Sequence, residues 1–184
     1  MSWFQAHADR SLALIERCDL DRAEPILDIG GGASTLVDDL LDRGHTDLTV
    51  LDVAESALTA SQARLGPRAG QVRWITGDVL TAALPRVQLW HDRAVLHFLI
   101  DPIDRARYVE QLEAAVIPTG HVIIATFAPD GPDRCSGLPV IRFSAEALGD
   151  LLGSGFQLVQ AEREEHRTPI GRLQAFTYTR FVRL

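Results

Sequence analysis

The sequence contains no lysine: all 18 of its basic side chains are arginine. Schiff-base chemistry and a lysine general base are therefore excluded. Its two cysteines, Cys18 and Cys135, lie far apart without CxxC spacing, and the expectation is two free thiols in a reducing cytosol. The six histidines show no HExxH or other metal-ligand spacing, so no metal is expected. No apolar run approaches the roughly 18 residues of a membrane span. "MSWFQAHADR" lacks the apolar region of a signal peptide, which predicts a cytoplasmic protein with no membrane partner. Basic runs are missing too. A formal net charge of −7 argues against a nucleic-acid partner, which would call for a basic surface.

What the chain does have is alternation. The 184 residues, 46% hydrophobic and 23% charged, suit one soluble domain over 1–184 that buries a sizeable core. Helical spacing over 8–18 precedes the short apolar run "ILDI", and residues 1–20 form a helical or lid segment. Then come a helix over 34–43, started by Ser34 or Thr35 and stopped at Gly44, a buried strand at 48–53, a helix at 55–65, and strands within 71–79 and 87–92. A helix within 104–116 stops at Pro118 and Gly120, a fifth strand follows at 121–128, and Ser144 caps a further helix. Two alternating runs, 156–164 and 173–184, read as a closing hairpin. Repeated βα units predict a doubly wound, mostly parallel α/β sheet with helices on both faces. "FAPDGPDRCSGLP" (127–139) is the one long irregular stretch, a length that usually signals function.

The chemistry centres on "ILDIGGGAS" (26–34). A strand that runs into Gly30, Gly31 and Gly32 and then a helix brings backbone close to a ligand. A dinucleotide fingerprint would need a third glycine where Thr35 stands. A pyrophosphate would also be repelled by the carboxylate of Asp28, whereas a sulfonium bearing an α-ammonium would be attracted. Asp52 ends the second strand at a spacing suited to ribose hydroxyls, and Asp78 follows the third, where it meets an adenine amino group. All three acids fall on the carboxyl edge of one predicted sheet.

"LDIGGGAS", "LDVAE" and "TGDVL", in that order and followed by a terminal strand pair, resemble the class I (Rossmann-like) S-adenosylmethionine-dependent methyltransferases over nearly the whole chain. The resemblance implies seven strands with only the last antiparallel. It implies S-adenosylmethionine as cofactor, held by Asp28, Gly30, Gly31, Gly32, Ser34, Asp52, Val53, Asp78 and Val79. Ser34 stands where that family usually has glycine, a change tolerable at a helix start. The second half, "VQLWHDRAVLHFLIDPIDRARYVEQL" with "RCSGLPVIRFS", is more loosely similar to the thiopurine and tellurite methyltransferases. In such enzymes an N-terminal aromatic segment often closes the site. Trp3 over the cofactor and Phe4 over the acceptor would supply it here.

At the end of the fourth strand, His91 or Asp92 is placed to orient or deprotonate an acceptor, the alternative being that Asp92 pairs with Arg93 or caps the next turn. His97 is a third catalytic candidate or a core histidine, Arg93 an anion ligand or an ion-pair member, and Cys135 a pocket residue or a surface thiol. His166 and Arg167 read as a solvated hairpin turn, the alternative being that they reach the pocket mouth. The function expected is methyl transfer to a small-molecule acceptor at sulfur, selenium, tellurium or nitrogen, by a monomer or weak dimer. Protein lysine methylation is the alternative, followed by an NAD-dependent oxidoreductase and a non-catalytic cofactor-binding module.

Overall fold

A computed structural model describes residues 7–168, 171 and 173–184. Helix α1 (Asp9–Glu16) precedes two strand–helix steps and a third strand: β1 (Ile26–Ile29), α2 (Leu36–Asp42), β2 (Leu48–Asp52), α3 (Glu55–Leu65) and β3 (Val72–Thr76). Next come β4 (Val87–Arg93), a 3-10 turn (Leu96–Phe98), α4 (Pro102–Ala115) and β5 (Val116–Phe127). The chain closes with β6 (Arg134–Cys135), β7 (Leu138–Pro139), α5 (Ala145–Leu152), β8 (Phe156–Arg167) and β9 (Leu173–Arg183). Local chemistry sets several of these boundaries. Asp101 accepts from the Ile103 amide at 2.8 Å with Pro102 opening α4, and Ser144 accepts from the Ala147 amide at 3.1 Å to open α5.

The main sheet has seven strands in the order β3-β2-β1-β4-β5-β9-β8. β1 to β5 pair in parallel, and β9 runs antiparallel to both β5 and β8. Only the last strand in sequence is therefore reversed, as the resemblance implies. Apolar side chains bury both faces. On one, α1, α2 and α3 pack Leu12, Ile15, Leu36, Leu40 and Leu58 over Ile26, Val50 and Leu89. On the other, α4 and α5 pack Tyr108, Leu112, Leu148 and Leu152 over Leu27, Trp90, Val122 and Ile124. The order reverses between β1 and β4, so a crevice opens at the carboxyl ends of these two strands. No helix among the described residues is long and apolar enough to cross a membrane.

Two expectations are corrected. The stretch 127–139 is not wholly irregular: β6 and β7 form a small hairpin, with Cys135 opposite Leu138 and the left-handed pair Ser136 and Gly137 at its tip. A two-residue loop with both φ angles positive matches the twist of the strands it joins. His166 and Arg167 are not in a turn but end β8. His166 is buried, with its ring 6.3 Å from that of Phe176, and only Arg167 is exposed.

Candidate active site

A cavity of about 660 Å3 opens over the carboxyl ends of β1, β2 and β4. Its floor is the glycine turn. Gly30 has φ +67°, and a Cβ there would collide with Cγ2 of Val95. A Cβ on Gly32 would collide with Oδ2 of Asp52, and one on Gly31 with Oδ2 of Asp28. Glycine at this turn is thus what admits two carboxylates to the floor. Ser34, without a left-handed backbone, accepts from the Leu36 amide at 3.2 Å and lines the cavity.

The strand-end acids stand in distinct surroundings. Asp28 is 4% exposed. Its Oδ1 accepts from His91 Nδ1 at 2.7 Å, while its Oδ2 is buried with no partner among the described residues. Asp52 accepts from the Ala54 amide at 2.8 Å, and burial holds its carboxyl above the ordinary value against that bond. Asp78 is exposed, and its Oδ1 accepts from the Leu80 amide at 2.9 Å. All three line the cavity with Val53, which is 70% exposed, and Val79. A buried carboxylate oxygen without a donor is expensive unless a cation meets it. The α-ammonium of S-adenosylmethionine is such a cation, so the residues present fit that cofactor.

The β4 candidates separate. Side chains alternate along a strand. His91 therefore faces α1, in register with Asp28, while Asp92 faces α4. The His91 ring nitrogens are both engaged, Nδ1 with Asp28 and Nε2 with Ser11 Oγ at 2.9 Å. Asp92 is 0% exposed and is not on the cavity wall. It accepts from the Val95 amide at 2.8 Å, the Leu96 amide at 3.0 Å and the Tyr108 hydroxyl at 2.7 Å. Burial pushes its carboxyl up to about 6 despite these donors. Asp92 thus caps the turn after β4, the alternative reading of its place in the sequence. His97 is buried against Phe98 and Phe127, with ring centroids 4.5 and 4.9 Å away. Burial lowers its imidazole to about 4, and it too lies off the cavity wall.

The other half of the cavity is apolar. Ala94, itself left-handed at φ +72°, Val95, Phe98 and Leu99 form one wall, and Cys135, Ser136 and Leu138 of the β6–β7 hairpin form the other. Arg93 brings a cation to this half. The Cys135 thiol is buried, and that burial raises its pKa. Trp3 and Phe4 lie outside the described residues. Among those residues, no three of His, Cys, Asp and Glu are grouped to hold a metal. Sequence reasoning missed Ser11, Ala94, Val95, Phe98 and Leu99. The last four had proximity to "WHDR" as their only signal, and Ser11, 80 residues from His91, had none.

Solved structures share this architecture. An N1-methyltransferase from Burkholderia thailandensis, with 1,6-didemethyltoxoflavin and S-adenosylhomocysteine bound, is 23% identical, with 96% of this chain and 77% of that chain covered and a TM-score of 0.75. The N-methyltransferase NodS from Bradyrhizobium japonicum is 20% identical over 95% and 94% of the two chains, with a TM-score of 0.73. An S-adenosylmethionine-dependent methyltransferase from Methanosarcina mazei is 16% identical over 93% and 97%, with a TM-score of 0.75. No curated protein matches the chain significantly in sequence. A family model, the O-methyltransferase domain, matches residues 8–136. With that match, the seven-stranded sheet and the acid-lined glycine turn, the chain belongs to the O-methyltransferase domain family and is a class I S-adenosylmethionine-dependent methyltransferase.

Proposed function

We propose that this methyltransferase modifies a small, largely apolar acceptor whose nucleophile, at nitrogen, sulfur or a heavier chalcogen, needs no protein base. The observation that carries this reading is the acceptor half of the cavity. It is walled by Val95, Phe98, Leu99 and Leu138, and Arg93 is the one cation there among the described residues.

The cofactor supplies an electrophilic methyl group on a sulfonium. Asp28 would take the α-ammonium, Asp52 the ribose hydroxyls and Asp78 the adenine amino group, with Val53 and Val79 against the base. Arg93 orients the acceptor through a carboxylate or another oxygen, and the apolar walls exclude water from an in-line displacement. Among the described residues of the lining, none is left as a base for the acceptor: in this reading Asp28, Asp52 and Asp78 serve the cofactor, His91 is held between Asp28 and Ser11, and the Cys135 thiol stays protonated at neutral pH. An aliphatic alcohol would need such a base. An amine or a readily ionised thiol brings its own lone pair, and a methylated amine sheds its surplus proton to solvent once the product has left the site.

The test is S-adenosylhomocysteine release from S-adenosylmethionine across amines, thiols, chalcogen oxyanions, aliphatic alcohols and a lysine-containing peptide. Release with aromatic amines or thiols is expected, and Arg93→Met should then raise KM for the anionic members. Turnover confined to the peptide or the alcohols would overturn the reading.

A further inference from the structure

Behind the Asp28 carboxylate that lines the cavity, two further buried side chains complete a hydrogen-bonded chain. Ser11 on α1 is 0% exposed, His91 on β4 is 2% exposed and Asp28 on β1 is 4% exposed. Ser11 Oγ lies 2.9 Å from His91 Nε2, and His91 Nδ1 lies 2.7 Å from Asp28 Oδ1. A carboxylate only accepts, so Nδ1 carries a proton and donates it to Asp28, while Nε2 and the Ser11 hydroxyl share the second hydrogen bond. The chain ends at Asp28 Oδ2, which is buried and has no partner among the described residues.

We propose that Ser11 and His91 are positioning residues that aim Asp28 Oδ2 at the α-ammonium end of the cofactor, and so register helix α1 against the bound cofactor. Asp28 fixes the imidazole tautomer, and Ser11 holds the ring in orientation from its other nitrogen. The imidazole pins Oδ1, and a carboxylate pinned at one oxygen presents the other in a single direction, as hydrogen-bonded partners orient metal ligands from behind. Asp28 sits beside His91 in the parallel register of β1 and β4, so only the α1 end of the chain is free to vary in position. Ala8, which precedes α1 and whose carbonyl accepts from the Leu12 amide at 2.9 Å, lines the cavity. The start of α1 is thereby linked to the group that would bind the cofactor.

The proposal rests on the assignment of Asp28 to the ammonium, and the test separates the two. Affinities for S-adenosylhomocysteine and for 5′-methylthioadenosine, which lacks the amino-acid end, are measured by calorimetry for the wild type, Ser11→Ala, Asp28→Asn and the double variant. Alanine is the best helix former, so Ser11→Ala keeps α1. It should weaken S-adenosylhomocysteine about fivefold, the worth of one hydrogen bond. It should leave methylthioadenosine unchanged, and have no further effect in the Asp28→Asn background. In 15N spectra of histidine-labelled protein, the His91 signals should shift on binding S-adenosylhomocysteine but not methylthioadenosine. Unchanged affinity in Ser11→Ala, or equal weakening of both ligands, overturns the positioning role. Unchanged S-adenosylhomocysteine affinity in Asp28→Asn overturns the assignment of Asp28 itself, and the proposal with it.

Discussion

Tyr108→Phe removes one oxygen from the buried polar chain on the α4 side of the sheet. That oxygen accepts from Trp90 Nε1 at 2.9 Å and donates to Asp92 Oδ2 at 2.7 Å, and all three side chains are fully buried. Stranding the indole donor costs about 1–3 kcal/mol, and Asp92 loses a charge-assisted bond worth about 1.5–3 kcal/mol when ionised. Burial holds Asp92 at about 6, above its ordinary 3.8. A carboxyl raised in the fold favours the protonated state. Its contribution is complete below about pH 4 and is lost as pH rises through 6, a difference of about 3 kcal/mol. Deleting the hydroxyl raises this carboxyl further and enlarges the loss. Urea unfolding of wild type and variant at pH 5 and pH 8 should therefore show a destabilisation of about 2.5–6 kcal/mol at pH 8 and a smaller one at pH 5, with S-adenosylhomocysteine affinity retained. Equal destabilisation at both pH values, or lost affinity with stability intact, would refute the capping role of Asp92 and return it to the reaction site.

Asp52→Ala should weaken S-adenosylhomocysteine and methylthioadenosine alike by more than about tenfold, since a carboxylate that can accept two ribose hydroxyls is lost; calorimetry on both ligands checks this. Gly32→Ala should mimic it in part, because the new methyl displaces the Asp52 carboxylate that now fills its place. Arg93→Met should raise the KM of an anionic acceptor at least about tenfold while cofactor affinity stays within twofold, the pattern of a lost charge-assisted bond to one substrate. His97→Leu, which replaces a buried imidazole without a hydrogen-bond partner among the described residues, should leave the melting temperature unchanged or higher and preserve turnover. A hundredfold fall in kcat would instead give His97 a part in acceptor chemistry.

The half of the site over β1 and β2 was legible because its signals are local. An apolar strand, a glycine turn and a strand-end acid lie within ten residues of each other, and helix α3 begins and ends where its spacing says it should. The fate of "WHDR" was only half legible. Adjacent strand residues must face opposite sides, so His91 and Asp92 were never both available to one ligand. Which of them met the cavity depended on α1 packing beside β1, a contact spanning 80 residues between Ser11 and His91. Tyr108, which turns Asp92 into a cap, gave no sign of that in a helix of polar composition. The β6–β7 hairpin escaped because two-residue strands have no period to read, leaving Ser136 and Gly137 as its only mark.

Val95 stands where the two halves of the cavity meet. Its amide is held by Asp92 and its methyl occupies the space that a side chain on Gly30 would need. Positions 30 and 95 therefore make a single lock spread over two strand ends. A larger residue at 30 is admissible only beside a smaller one at 95, and even then against a left-handed backbone. The opposite exchange is open. Shaving Val95 to alanine leaves the glycine turn in place and widens the passage from cofactor to acceptor by two methyl groups. One substitution at this partition is the shortest evolutionary path by which such a scaffold would come to accept a bulkier molecule without relearning its cofactor.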